Sequence, residues 1–306
     1  MKITEKNGYK ISEFTLGTVQ LGIPYGINNT HGMPSYSAAH EILQTAIDCG
    51  VISFDTAKGY GKSEAVLGKF FANKTTDKTI ITKVEFDKET PGEIKNSLFE
   101  KVKDSAHVMG LSEIPVVLLH SERYLETYGD TLLKALKELK AEGLVKSIGV
   151  SFSDKSKLLE LTNPEIFDSV QIPANMFDNA EIRNGKIKAL SDMGIAVYVR
   201  SVYLQGLFFK DTYALPEKLK SAKPALEKIK ALAADNAMSV AALALSYMRA
   251  LPGITSLVVG CETLGQLKDS LSLFNLPPLP KKTSDKILEI SEEIEPIVIK
   301  PWEWNT

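Results

Sequence analysis

Residues 50–68, GVISFDTAKGYGKSEAVLG, decide how this chain folds. Val51 to Phe54 are apolar or β-branched apart from Ser53, the pattern of a strand covered on both faces, and Asp55 stands where that strand runs out. Gly59 and Gly61 flank Tyr60, and their conformational freedom presents the phenol on a turn. Ser63 is expected to cap a helix whose apolar residues Val66, Leu67 and Phe70 follow helical spacing. A strand, a loop and a helix in nineteen residues make one unit of an alternating α/β protein. In a barrel of such units the carboxyl ends of the strands carry the chemistry, so Asp55 and Tyr60 are the first candidates.

The same unit recurs along the chain. Strands are expected at Tyr9–Gly17, Thr79–Lys83, Val116–His120, Ser147–Ser151, Ser169–Ile172, Ala196–Arg200 and Ser256–Val259, with helical patterns in most of the intervals. Helices are read from Ser35 or Ser37 to about Gly50, from near Pro91 to Gly110, and over Leu132–Ala141, Asp154–Leu161 and Glu181–Met193. Ser201–Ser221 breaks the rhythm as a long loop of functional length. Further helices follow near Ala225–Ala234, Val240–Ala250, Leu264–Leu273 and Ser284–Glu293, and both tryptophans fall in the tail EPIVIKPWEWNT. Eight strands with crossover helices in 306 residues predict one domain over residues 1–306, an α/β (β/α)8 TIM barrel with an N-terminal strand or hairpin, extra helices and a C-terminal tail. A doubly wound sheet would show GxGxxG after its first strand, and none is there. The Asn29–Pro34 segment reads as a flexible rim loop.

With 36 basic and 38 acidic residues the net charge is −2, which favours neither nucleic acid nor an anionic membrane as partner. The apolar runs are strand-sized, far below the ~20 residues of a membrane span, and the first residues carry no signal-like apolar core. Cys49 and Cys261 have no framework spacing and read as packing thiols in a reducing compartment, so the expectation is a cytoplasmic protein, monomer or homo-oligomer, without metal.

Lys83 ends the strand TIITK and His120 ends PVVLLH, so a barrel would gather Asp55, Tyr60, Lys83 and His120 at one face. Singly, such residues are caps, ion pairs or turn residues; together they suit carbonyl reduction. That reaction needs hydride at carbon and a proton at oxygen. A free phenol, pKa about 10, holds its proton tightly near neutrality, and the Lys83 ammonium would ease its release. Asp55 would hold Lys83 in place, and His120, as a neutral imidazole, would donate a hydrogen bond to the carbonyl.

The pattern Phe54-Asp55-Thr56-Ala57, Tyr60-Gly61, Ser63-Glu64, Leu67-Gly68, followed by Lys83 and His120, resembles the aldo-keto reductases. The resemblance implies an NAD(P)-dependent oxidoreductase acting on CH–OH donors, with Tyr60 as proton donor assisted by Lys83, Asp55 and His120. NADPH is the implied cofactor, with NADH second. Gly17, Thr18 and Gln20 would lie near the nicotinamide, Ser151 and Gln171 at its carboxamide, and Arg200 against its ring. Phe152 departs from the asparagine common at its position. Ser201, Leu204 and Gly206 would face the pyrophosphate, and Gly260, Thr263, Gln266 and Asp269 the adenosine. Glu262 would repel a 2′-phosphate, with Lys268 near enough in sequence to compensate. The wording LGTVQLG, VRSVYLQGLF and VVGCETLGQL resembles bacterial members associated with sugar and polysaccharide metabolism. A small carbonyl compound or sugar is the implied substrate, with Tyr25, Glu122, Arg123, Tyr203 and Trp302 as pocket candidates. Two other functions remain open on sequence: a Schiff-base aldolase using Lys83, and a cofactor-binding regulatory protein with little turnover.

Overall fold

The computed structural model describes residues 1–29 and 31–304. Thr30 of the rim loop and Asn305 and Thr306 of the tail lie outside the described residues. Eight parallel strands close into a barrel: β3 (Phe14–Gly17), β4 (Ser53–Asp55), β5 (Thr79–Val84), β6 (Ile114–Leu119), β7 (Val145–Ser151), β8 (Ser169–Pro173), β9 (Ala196–Arg200) and β10 (Ser256–Gly260). They pair in chain order, and β10 returns to β3. Fully buried β-branched and leucine side chains fill these strands because helices cover one face and the barrel interior the other.

Tyr9–Gly17 is not one strand. β1 (Ile3–Lys6) and β2 (Tyr9–Ser12) form an antiparallel hairpin, and Glu13 separates it from β3. The hairpin closes the amino-terminal end of the barrel: Thr79 Oγ1 donates to the Lys10 carbonyl (2.6 Å) and Ser256 Oγ to that of Ser12 (2.7 Å). Its Tyr9 and Ile11 pack inside against Ile81, Val116, Leu118, Tyr198 and Val258. With one end plugged, the other is left for a cavity.

Several helices differ from their sequence pattern. Residues 154–161 give helix only at Leu158–Leu161, and 181–193 splits into Ala180–Arg183 and Lys186–Asp192 around Gly185, whose φ is +82°. The leucine-rich helix begins earlier than expected, at Arg123, and is kinked at Gly129. Residues 201–221 carry two 3-10 turns, Leu204–Phe209 and Glu217–Ala222, rather than an open loop. Cys261 is buried, which pushes its thiol up to about 12, but Cys49 ends the helix Tyr36–Asp48 exposed, so only one of the two is a packing thiol. Among the described residues no single helix is long and apolar enough to cross a membrane, and no His, Cys, Asp and Glu cluster could hold a metal ion.

Candidate active site

Barrel stagger sets the site. Asp55 on β4 is level with Ile81 on β5, so Lys83 stands two residues higher on the same inward face. Lys83 is level with Leu118 on β6, and His120 stands two residues above that. Each candidate therefore rises one layer over its neighbour, around one quarter of the rim.

The ion pair at the base is dry. Lys83, fully buried, donates to Asp55 Oδ1 (2.7 Å) and to the Thr56 carbonyl (2.8 Å). Burial by itself favours the neutral amine, but the Asp55 carboxylate and the Tyr60 oxygen outweigh it and hold the Lys83 pKa above the usual lysine value. Asp55 Oδ1 also accepts from Gln171 Nε2 (2.7 Å). Lys83 Nζ lies 4.8 Å from the centre of the Tyr60 ring, whose edge meets the His120 ring at a centroid distance of 5.8 Å.

The loop carrying Tyr60 is fixed from below by hydroxyls. Ser63 does not cap its helix, as the sequence suggested; it is the first helical residue and bonds Thr18 Oγ1 (2.6 Å) and Thr56 Oγ1 (2.8 Å). Thr18 Oγ1 in turn donates to the Asp55 carbonyl (2.7 Å). Glu64 beside it is buried and accepts from Thr82 (2.6 Å) and Ser105 (3.2 Å). The Ser63-Glu64 pair thus locks β3, β4 and β5 to the helix Ser63–Phe71. Of the two glycines around Tyr60, only Gly61 has positive φ (+58°); Gly59 supplies space, since a Cβ there would sit 2.5 Å from Glu85 Oε1.

Above the tetrad opens a cavity of about 590 Å3, large enough for an extended ligand. Asp55, Tyr60 and His120 line it, together with Gly17, Gln20, Arg200, Ser201, Gly206, Gly260, Gln266 and Asp269. Tyr25, Tyr203 and Trp302 line it too. The tail tryptophans divide: Trp302 faces the cavity, while Trp304 is buried and donates from its indole to the Ile297 carbonyl (3.0 Å).

With this arrangement stand the comparisons with known proteins. The sequence model of the Aldo/keto reductase family matches residues 13–292, nearly the whole barrel and its helices. The chain belongs to the aldo/keto reductase family. This aldo/keto reductase is 25% identical over 288 residues to the oxidoreductase YqkF of Bacillus subtilis, covering 87% of this chain and 88% of that one. It is 23% identical to the NADH-specific methylglyoxal reductase of Escherichia coli, covering 81% of this chain and 85% of that one. In fold it matches the holo form of aldo-keto reductase AKR11C1 from Bacillus halodurans with a TM-score of 0.78 at 22% identity, over 96% of this chain and 97% of that one.

Within this aldo/keto reductase not every sequence candidate reaches the cavity. Glu122 is buried with its carboxylate accepting the Ser153 and Asp154 amides (both 3.0 Å), so it shapes the loop after β7; Arg123 is exposed at the start of a helix. Both are corrected from pocket to scaffold, because the helix begins at the residue expected to reach inward. Thr18 is used up beneath Asp55, Ser151 is buried, and Leu204 points into the core with φ +48°. Thr263 caps the helix Leu264–Leu273 by accepting the Gln266 amide (3.2 Å). Arg200 has no carboxylate partner among the described residues; its guanidinium donates to the Phe152 carbonyl (3.2 Å) and meets Ser153 and Ser201 hydroxyls at 3.4 Å. Sequence reading missed Glu85, Asn28, Ser153 and Phe209. Asn28 Nδ2 donates to the Gly206 carbonyl (2.6 Å), a contact across 178 residues with no local signature.

Proposed function

We propose that the protein is a nicotinamide-dependent reductase of an aldehyde, ketone or sugar carbonyl, with Tyr60 as the proton donor. The single observation carrying this reading is the buried Lys83–Asp55 pair beside a phenol that lines the cavity. The fit of a nicotinamide cofactor rests on two orphaned amide oxygens: Gln20 Oε1 and Gln171 Oε1 are buried without a partner, and a carboxamide NH2 is the donor they lack. Gly17 and Gly260 face each other on adjacent strands, and a Cβ on Gly17 would meet Gly260 N at 3.3 Å, so flat groups can lie against bare backbone there. When bound, the cofactor would supply the hydride. Tyr60 gives its proton to the carbonyl oxygen, the Lys83 ammonium stabilises the phenolate left behind, and Asp55 keeps that ammonium in place. Gln171 tethers Asp55 from the opposite side of the barrel. Phe209, Tyr203 and Trp302 line the cavity as aromatic surfaces on which the apolar face of a sugar can rest.

The charge in the cavity supports NADH over the NADPH that the family resemblance puts first. Glu262 lines the cavity, whereas Lys268 is exposed and off it, so the compensation expected from sequence is not in place. Titration of the protein with each cofactor, followed by Trp302 fluorescence and calorimetry, is expected to give saturable binding with Kd about tenfold or more lower for NADH, ~1.4 kcal/mol. Glu262→Lys should remove or reverse that ratio. Binding of neither cofactor would overturn the reductase reading; equal affinities would overturn only the role of Glu262.

The state of Lys83 weighs against Schiff-base chemistry. A charged amine that is fully buried and gives two of its hydrogens to Asp55 and Thr56 is a poor nucleophile with no path to a carbonyl. Borohydride in the presence of a carbonyl substrate is expected to leave Lys83 unmodified by mass spectrometry.

A further inference from the structure

At the end of β9, level with Pro173 on β8, Arg200 brings a guanidinium to the wall of the cavity that Tyr60 lines. Among the described residues it is the only lysine or arginine on that wall. Its hydrogen bonds leave the charge unanswered. Nη2 gives its hydrogens to the Phe152 carbonyl (3.2 Å) and the Ser153 hydroxyl (3.4 Å), and Nη1 gives one to the Ser201 hydroxyl (3.4 Å). A guanidinium has five N–H groups, so the one on Nε and the second on Nη1 have no acceptor among the described residues, and every acceptor in use is neutral. Asp178 feels the Arg200 charge, but its carboxylate is taken by Lys155 (2.5 Å). The Ser153 amide is held by buried Glu122 (3.0 Å), so the guanidinium rests against a fixed loop. Tyr25 lines the same cavity, and its hydroxyl feels both the Arg200 charge and the Tyr60 oxygen. Burial holds the Tyr25 pKa above the ordinary tyrosine value, with the Arg200 charge acting the other way, which leaves the phenol a protonated donor at neutral pH.

We propose that Arg200, with the Tyr25 hydroxyl near it, binds a carboxylate on the substrate, so that the compound reduced at Tyr60 is an oxo acid or a uronic acid rather than a neutral aldehyde or sugar. Arg200 then narrows the substrate of the reductase proposed above, on which this role rests. A half-buried guanidinium with unused N–H groups is completed by an anion, through hydrogen bonds stronger than those its neutral partners give. Charge count selects a carboxylate over a phosphate. Asp55 is answered by Lys83, whereas Glu262 and Asp269 line the cavity as well, so one negative charge on the substrate meets Arg200 and a second would be repelled. A guanidinium stacks through its flat face and donates through its edge, so contact with a nicotinamide ring, which the family resemblance implies for Arg200, leaves the edge for the substrate.

The test compares matched substrates in the full-length protein: benzaldehyde against its ortho, meta and para carboxy derivatives, glucose against glucuronate, and glyceraldehyde against glyceraldehyde phosphate. The wild type is expected to favour at least one carboxylated member over its neutral parent by about 10- to 100-fold in kcat/KM, the contribution of hydrogen bonding to a charged group. In Arg200→Gln that ratio should fall to near one, mainly through KM. Arg200→Lys, which keeps the charge without the fork, should retain part of it, and Tyr25→Phe should lower it severalfold. A ratio between two substrates cancels any loss of cofactor binding or folded protein that both share. Benzoate titrated into the protein by calorimetry should bind Arg200→Gln about tenfold or more weakly than the wild type. No preference for any carboxylated member, a preference for the phosphate alone, or a ratio unchanged in Arg200→Gln overturns the proposal. If Arg200→Gln does not fold, the ratio in Tyr25→Phe and Arg200→Lys decides, and a ratio unchanged in both overturns it. If the protein reduces no carbonyl at all, the reductase reading fails, and benzoate binding, weakened or unchanged in Arg200→Gln, still decides whether Arg200 holds a carboxylate.

Discussion

Tyr60→Phe is expected to lower kcat for carbonyl reduction by about 10²- to 10⁴-fold, the contribution of a lost general acid, while cofactor Kd and melting temperature stay as in the wild type. The substitution removes one oxygen and nothing else. The phenyl ring keeps its edge contact with His120 and its place beside Lys83, so the loop held by Ser63, Thr18 and Thr56 has no reason to move. The loss should fall on kcat more than on KM, because the proton is needed in the transition state and not for substrate docking. Steady-state kinetics with cofactor titration on the same preparation checks both halves. A variant that keeps most of its turnover would take the acid role away from Tyr60. One that also loses cofactor binding would mean that the hydroxyl shapes the cavity instead.

Lys83→Met should abolish measurable reduction and also destabilise the fold by about 3–5 kcal/mol, which corresponds to a fall in melting temperature on the order of 10 °C. Its partner explains the size. Asp55 would remain buried with its charge opposed only by the dipole of Gln171, and an uncompensated carboxylate at the centre of a barrel is costly. Asp55→Asn introduced on top of Lys83→Met should recover much of the stability and none of the activity, since the neutral pair no longer carries a stranded charge and no ammonium faces Tyr60. Thermal melts of the single and double variants distinguish this from general damage; if the double variant melts no higher than the single, the ion pair is not what Lys83 maintains. The pH dependence has a definite sign. The Lys83 pKa is raised in the folded protein, so its contribution is complete below the ordinary lysine value and is lost only as pH climbs through the raised one. Wild type and variant should therefore differ throughout the neutral range and converge only under strongly alkaline conditions.

The order of strands and the strand-end positions of Asp55, Lys83 and His120 were legible in the sequence because each is written locally. A run of covered apolar residues ending on Asp55, Lys83 or His120 is a statement about one strand and its exit, and barrel stagger converts three such statements into one site. The hairpin break at Glu13 was not legible, since Tyr9 to Gly17 reads as one extended run whether or not it turns a corner at the barrel floor. Ser63 misled for a related reason. Its position before an apolar helical stretch is that of a cap, but its hydroxyl is engaged by Thr18 and Thr56, which lie 45 and 7 residues away.

The sequence by itself determined the alternation of strands and helices, the strand-end positions of the candidate residues and the glycines that bracket Tyr60, because these depend on periodicity and on residues at strand ends. Only the tertiary structure decided which side chains meet. Glu85, Glu122 and Arg123 all come from the segments that leave a barrel strand, yet Glu122 folds onto backbone amides, Arg123 turns to solvent and Glu85 reaches His120. Strand register, the direction of a helix start and the space left by Gly59 set those outcomes, and all three are properties of segments packed together rather than of any one stretch of chain.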